Sequence, residues 1–249
     1  MNLKTLKNEI ENFIMKHNEE HPENPVDESH GYAHFCKVAK HAKLAIHSFI
    51  DSGMIITDTE QFEILAASWL HDVDDAKYFS TEDYANARMC LEKVGCDSEI
   101  INNIIYMIKL VSSSKNGDTI PEGTKEIQLI PRYADRLEAI GKIGVQRCLL
   151  YTLQQGAPLF CSDTKRATTE EELFNNVATE ERYRNYKGKS FSFIDHFYDK
   201  ILRLDRFPIR NNYFDEECKK RRAAVVEIVL MFGQKGSITL EEVEAYIKS

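Results

Sequence analysis

Phe62, Ile64, Leu65, Ala66, Ala67, Trp69 and Leu70 leave a helix almost no polar face, so this helix must be buried all round. It then runs into His71, Asp72, Asp74 and Asp75 within "LHDVDDAK". A helix C-terminus carries the negative pole of the helix dipole, where a carboxylate is disfavoured. A buried carboxylate without a partner is costly or takes up a proton. A fold that buries this helix therefore needs positive charge at its end. A bound cation supplies it, and an imidazole beside a carboxylate is a natural pair of ligands.

The rest of the chain keeps the helical spacing, and clean strand alternation is nearly absent. The pattern predicts helices near residues 3–17, 31–51, 60–72, 81–94, 97–111, 131–150, 170–183, 191–204 and 213–232, with a short last one at 239–248. Ser112 to Glu126 is the one long polar connection, a kind of loop that often carries function. No internal repeat or low-complexity linker interrupts the pattern. The expectation is an all-α fold in a single domain over residues 1–249.

The 249 residues include 43% hydrophobic and 29% charged, ordinary values for a globular protein with ample material for a core. A net charge of −8 argues against a general binder of nucleic acid or anionic membrane, so a phosphate-bearing ligand needs a local cationic site. No apolar run approaches membrane-spanning length. Leu3, Leu6, Ile10, Phe13 and Ile14 read as an amphipathic first helix, interrupted by Glu9 and Glu11, rather than as a signal peptide. The six cysteines form no CxxC pair and are expected as reduced thiols of a cytoplasmic protein.

Three stretches offer metal ligands. "SHGYAHFCKVAKHA" opens a helix with His30 and His34 one turn apart and His41 two turns further on. "LHDVDD" supplies His71 and Asp72, and "PRYADRLEAIGKIG" places Asp135 early in a helix that Pro131 helps to start. Gly141 and Gly144 within that helix are unfavourable, which suggests a close helix crossing that offsets them. Two imidazoles and two carboxylates suit Mn²⁺, Fe²⁺, Co²⁺, Ni²⁺ or Zn²⁺, with positions left for water and substrate. Singly these signals are weak. The order His, His-Asp, Asp, each within apolar helix, is much more specific.

That order resembles the HD-domain metal-dependent phosphohydrolases, named for the His-Asp doublet. The segments "SHGYAHFCKV", "WLHDVDDAK", "YADRLEAIGKIG" and "HFYDKILRL" (His196 to Leu204) are most similar to the single-domain, nucleotide pyrophosphatase-like branch. The similarity spans roughly residues 28–232. It implies an HD-type helical bundle with its core at about 28–150 and a helical extension at about 151–249. By position it implies His34, His71, Asp72 and Asp135 as metal ligands. The chain departs from the branch at Gly31, which stands where Asp is usual, and at Lys37, which stands where Arg is usual. Asp75 replaces the Glu of deoxynucleotide 5′-nucleotidases, and Ala76 replaces an Asp of guanosine tetraphosphate hydrolases. No histidine lies between His71 and His196, so one catalytic ion is expected: Mn²⁺ foremost, with Mg²⁺, Co²⁺, Ni²⁺, Fe²⁺ or Zn²⁺ as alternatives.

The chemistry implied is hydrolysis of a phosphate ester or anhydride, foremost a (deoxy)nucleoside triphosphate releasing pyrophosphate. A monophosphate or other small phosphoester is the alternative substrate, and a non-catalytic metal or nucleotide binder the alternative class. Asp75 is the candidate to orient or deprotonate water, against a salt-bridge role. Lys77 is the candidate to hold phosphate, against a solvated lysine. His30, Lys37 and Arg136 are candidate substrate contacts, with His30 also readable as a cap and Arg136 as a brace for carboxylates. Asp74 reads as supporting or surface. The basic and aromatic "RYRNYKGK" (Arg182 to Lys189) reads as a charged surface loop before a base-stacking one. "KKRR" (Lys219 to Arg222) reads as the solvated start of a packed helix. A small phosphorylated partner is expected, with no nucleic acid or membrane, and a homodimer is compatible with the sequence.

Overall fold

A computed structural model describes residues 2–27, 30–112 and 119–249. Among the described residues there is no strand, and the all-α expectation holds. The chain divides into two compact units, Met1–Asp135 with Asn211–Tyr213, and Arg136–Arg210 with Phe214–Ser249. Each is described by itself.

The first unit contains α1 (Leu3–Glu20), α2 (Tyr32–Asp51), α3 (Asp58–Leu70), α4 (Ala85–Lys93) and α5 (Ser98–Val111). Asn2 caps α1, Asp97 caps α5, and Thr57 forms a capping box with Glu60 at the start of α3. α3 is the central element and packs against α1, α2 and α5. Phe62, Ile64, Ala66, Ala67, Trp69 and Leu70 are all buried, as an all-apolar helix requires. Glu63 is buried on it too, and Asn103 of α5 donates to its carboxylate at 2.9 Å. α3 stops at Leu70, so His71 to Asp74 form a turn rather than the helical end expected at residue 72.

A short 3-10 turn (Glu126–Leu129) leads into α6 (Ile130–Glu138), within which the division between the units falls. Arg132 is buried at the start of α6, and its guanidinium donates to the carbonyls of Leu110 and Thr119. A helix C-terminus leaves carbonyls without intrahelical partners, and Arg132 takes one at the end of α5. Of the polar connection Ser112 to Glu126, residues 113–118 lie outside the described residues.

The second unit contains α7 (Gly141–Gln154), the single turn α8 (Glu170–Glu172) continued by a π turn (Leu173–Val177), and α9 (Glu180–Arg184). It continues with α10 (Phe193–Asp199), a 3-10 turn (Ile201–Arg203), α11 (Asn212–Lys235, from Phe214 onward) and α12 (Leu240–Lys248). The expected helix at 131–150 is broken at Ala139 and Ile140. Gly141 has φ +76°, a left-handed conformation that side chains disfavour, and a Cβ on Gly144 would lie 2.3 Å from the Ala139 carbonyl oxygen. The two glycines therefore stand at a helix break, and Gly141 also meets the close crossing expected from the sequence: a Cβ there would lie 3.0 Å from Cγ and 3.1 Å from Cβ of Arg221 on α11. The helices expected at 170–183 and 191–204 are likewise divided, at Ala178 and at Lys200.

The two basic stretches are largely exposed, as expected, but several of their arginines are committed to ion pairs. Arg182 is half-buried and donates to Asp195 at 2.7 Å and to Asp199 at 2.5 Å. Asp195 also accepts from Thr164 and Ser192, so the carboxylate is fully committed inside the unit. In "KKRR", Arg221 pairs with Glu217 and Glu138, and Arg222 pairs with Asp205 and Glu170. That stretch lies inside α11, which begins at Asn212. Among the described residues the six cysteines are free; Cys90 and Cys148 are buried and Cys36 is exposed. No helix among them is long and apolar enough to cross a membrane.

Candidate metal centre

His34 sits in the first turn of α2, preceded by Gly31 at the N-cap. His71 follows the last residue of α3, and Asp72 comes next on the turn. Asp135 projects from α6, one turn after Arg132 anchors that helix. These four residues meet. His34 Nε2 lies 3.2 Å from His71 Nε2 and 3.2 Å from Asp135 Oδ1. His71 Nε2 lies 3.4 Å from Asp72 Oδ2 and 3.7 Å from Asp135 Oδ1.

The protonation of His71 follows from its other ring nitrogen. Nδ1 lies 2.9 Å from the Ser68 carbonyl oxygen, which can only accept, so Nδ1 carries the hydrogen. In the neutral ring Nε2 is then a bare lone pair, aimed at His34 and the two carboxylates. A ligating histidine fixed through its second nitrogen by a carbonyl is the arrangement that metal sites use. The donor set of two imidazoles and two carboxylates thus fits a divalent cation. The His34 and His71 side chains are 3% and 0% exposed, while Asp135 and Asp72 keep 27% and 21% exposed. The site opens to solvent on its carboxylate side.

A second group adjoins the first through Asp72. Ligand atoms of His30, Asp72 and Asp75 lie within 4.8 Å of one another, as do those of His34, His71 and Asp72. Asp75 Oδ1 accepts the backbone N–H of Lys77 at 3.0 Å. Lys77 Nζ lies 3.1 Å from Asp27 Oδ2, which also accepts from the Tyr78 hydroxyl at 2.6 Å. Burial opposes the charge on Lys77, but Tyr78 and Asp27 outweigh it and hold the ammonium above its usual range. Burial, then the Asp27 carboxylate, push the Tyr78 phenol up as well.

The remaining expected residues are placed as follows. Lys37 lies on the exposed face of α2, one turn after His34. Arg136 is buried and is the first residue of the second unit. His41 is buried against the Tyr213 hydroxyl and belongs to neither group of candidate ligands. Asp74 is a staple: its carboxylate accepts from Thr81 and from the backbone N–H groups of Asn86 and Ala87, at the start of α4. Ser68, Asp27, Tyr78 and Arg132 were not singled out by sequence. Of these only Asp27 carried a signal, an acid three residues ahead of His30 in "DESH".

No family model matches the chain. A protein of Acanthamoeba polyphaga mimivirus, uncharacterized protein L803, is 38% identical over 222 residues, covering 82% of this chain and 88% of the relative. Among solved structures, a Lactobacillus plantarum protein superposes with a TM-score of 0.63 at 24% identity, over 95% of this chain and 99% of that one. A Bacillus thuringiensis HD-superfamily hydrolase gives 0.59 at 19% identity, over 94% and 100%. Bacillus subtilis YpgQ in complex with ADP gives 0.60 at 17% identity, over 95% and 97%. The chain thus belongs to the same family as mimivirus L803, and its fold is that of the HD superfamily.

Proposed function

We propose that this protein is a divalent-metal-dependent phosphohydrolase of nucleotides, whose foremost reaction converts a (deoxy)nucleoside triphosphate to the monophosphate and pyrophosphate. The observation that carries the reading is the meeting of two Nε2 atoms and two carboxylates around one point, with His71 fixed through Ser68. The HD-superfamily fold supports it, and the ADP complex of YpgQ supports a nucleotide as ligand.

His34, His71, Asp72 and Asp135 would hold one ion, Mn²⁺ foremost. Such an ion, when bound, supplies a Lewis acid for a phosphoryl oxygen and acidifies water. Asp75 lies beside Asp72 and is the group that takes the proton of the attacking water. Water adds at the α-phosphorus, the bond to the bridging oxygen breaks, and pyrophosphate leaves with that electron pair. Lys77 and His30 flank Asp75 and meet the negative charge of the phosphates, which a protein of net charge −8 attracts only locally. Lys37 adds an outer positive charge one turn from His34.

A panel of nucleoside tri-, di- and monophosphates tests this, with Mn²⁺, Mg²⁺, Co²⁺ and Ni²⁺ added in turn. Metal-stimulated release of pyrophosphate from a triphosphate is expected. Release of inorganic phosphate from monophosphates alone would move the reading to a phosphatase. Stoichiometric metal with no turnover on any member would leave a binding protein.

A further inference from the structure

Asp27 gathers three side chains that surround the Asp75 end of the site, yet it belongs to neither ligand group itself. Its Oδ2 accepts from Tyr78 and Lys77, and its Oδ1 lies 3.4 Å from His30 Nδ1. The three held groups also touch one another. Lys77 Nζ lies 5.0 Å from the Tyr78 ring centroid, and the His30 and Tyr78 rings pack at 5.8 Å. The backbone at Lys77 is tied as well, because its carbonyl accepts from the Asn24 amide at 3.2 Å. Tyr78 is buried, so the carboxylate it holds is anchored to the core.

Resting on the function proposed above, we infer that Asp27 is a positioning residue that presents Lys77, together with His30, to the phosphates of the nucleotide. A free lysine side chain loses much rotamer freedom when it is fixed. Held by Asp27 and laid over Tyr78, Lys77 loses that freedom on folding, and less is left to lose on binding. The ammonium has three donors, so its contact with Asp27 leaves others for phosphate oxygens. Its side chain is 45% exposed, which keeps them accessible.

A double-mutant cycle of Asp27→Asn and Lys77→Met tests this. KM and kcat are measured for the triphosphate that the wild type turns over, and calorimetry gives the Kd of inorganic pyrophosphate on the metal-loaded protein. Asp27→Asn should raise KM and the pyrophosphate Kd about 10-fold with kcat within about twofold. In the Lys77→Met background it should add less than about twofold. Asp27→Glu should restore most of the loss, and Tyr78→Phe, which keeps the ion pair, should shift KM in the same direction by less. Equal effects of Asp27→Asn with and without Lys77 would overturn the inference. So would unchanged KM and Kd, or a Tyr78→Phe variant that folds normally but loses kcat alone. A wild type that binds pyrophosphate, shows the same coupling and turns over nothing would sink the proposed reaction while sustaining the role of Asp27.

Discussion

The Nε2 atoms of His34 and His71 face each other across 3.2 Å, and both look onto the carboxylate of Asp135. Two ring nitrogens at that distance need either a shared proton or a cation between them. With Nδ1 of His71 committed to Ser68, Nε2 presents the lone pair that a cation requires. Replacing Asp135 by Ala should therefore lower metal affinity by more than about 100-fold, beyond the range for groups that only support ligands. Turnover should go with it, while the far-ultraviolet dichroism stays native. Elemental analysis of the purified variant decides: stoichiometric metal would mean a misplaced ligand.

The same geometry bears on how many ions bind. His30, Asp72 and Asp75 form a second group, but its members have other commitments. His30 Nδ1 lies against Asp27, Asp75 accepts from the backbone of Lys77, and Asp72 already faces His71. The nearby Lys77 ammonium also repels a second cation. Freshly purified protein should carry close to one transition-metal ion per chain. A ratio near two, by plasma mass spectrometry, would overturn the single-ion reading.

The meeting of His34, His71, Asp72 and Asp135 was legible because each stands in an apolar helix or at its end, where an ionisable group is costly without a reason. The burial of α3 was legible for the same reason. Other features depend on contacts between residues far apart in the chain. Asp74 and Asp75 look alike in "DVDD", yet one staples α4 and the other borders the site. Arg182 sits in a stretch that reads as basic surface, and only Asp195 and Asp199, brought beside it by α10, tie it into a half-buried ion pair. Helix periodicity also runs straight through Ala139 and Ile140. The break there is made by backbone, which no hydrophobic pattern reports.

That break can be tested directly. A Cβ on Gly144 would meet the Ala139 carbonyl at 2.3 Å, and the obstacle is backbone rather than a flexible side-chain end. Helix propensity alone predicts that Gly144→Ala stabilises by up to about 1 kcal/mol. The contact predicts the reverse, a loss of about 2 kcal/mol or more in urea unfolding, as expected when a core is forced to shift. A stabilised variant would mean that α6 and α7 can form the continuous helix that the sequence suggests.

Arg132 offers a second structural test, this time coupled to the site. Its guanidinium bonds the carbonyls of Leu110 and Thr119 from the turn that precedes Asp135. Arg132→Met keeps much of the apolar stem but leaves those carbonyls without this donor. A stability loss of about 2–4 kcal/mol is expected, the range for breaking a buried, charged hydrogen-bond set. Metal affinity should fall as well, because Asp135 then rides on a less firmly held helix. Native metal affinity at reduced stability would separate the two roles.

Stability toward acid should be governed in part by the second unit, through His196. Its imidazole packs against the rings of Tyr151 and Tyr186, with Ser190 Oγ at 3.2 Å from Nδ1 and the Tyr186 hydroxyl at 3.4 Å. Burial, and then the positive charge of Lys200, push its pKa from 6.5 down to about 4. In the unfolded chain the ring titrates near its ordinary value. Between about pH 6.5 and 4 the unfolded state therefore holds the extra proton, and stability falls as pH falls through that window. Above it both states are neutral at this ring, and stability does not depend on its titration. At 1.36 kcal/mol per pKa unit, the loss by pH 4 reaches up to about 3 kcal/mol. His196→Gln keeps a side chain that can bond Ser190 but cannot titrate. Urea unfolding of both proteins from pH 7 to pH 4 measures the effect, since every other titrating group is common to both. The stability gap between wild type and variant should shift in favour of the variant on acidification, and a gap that stays constant across that range would mean that His196 takes up its proton in the folded state.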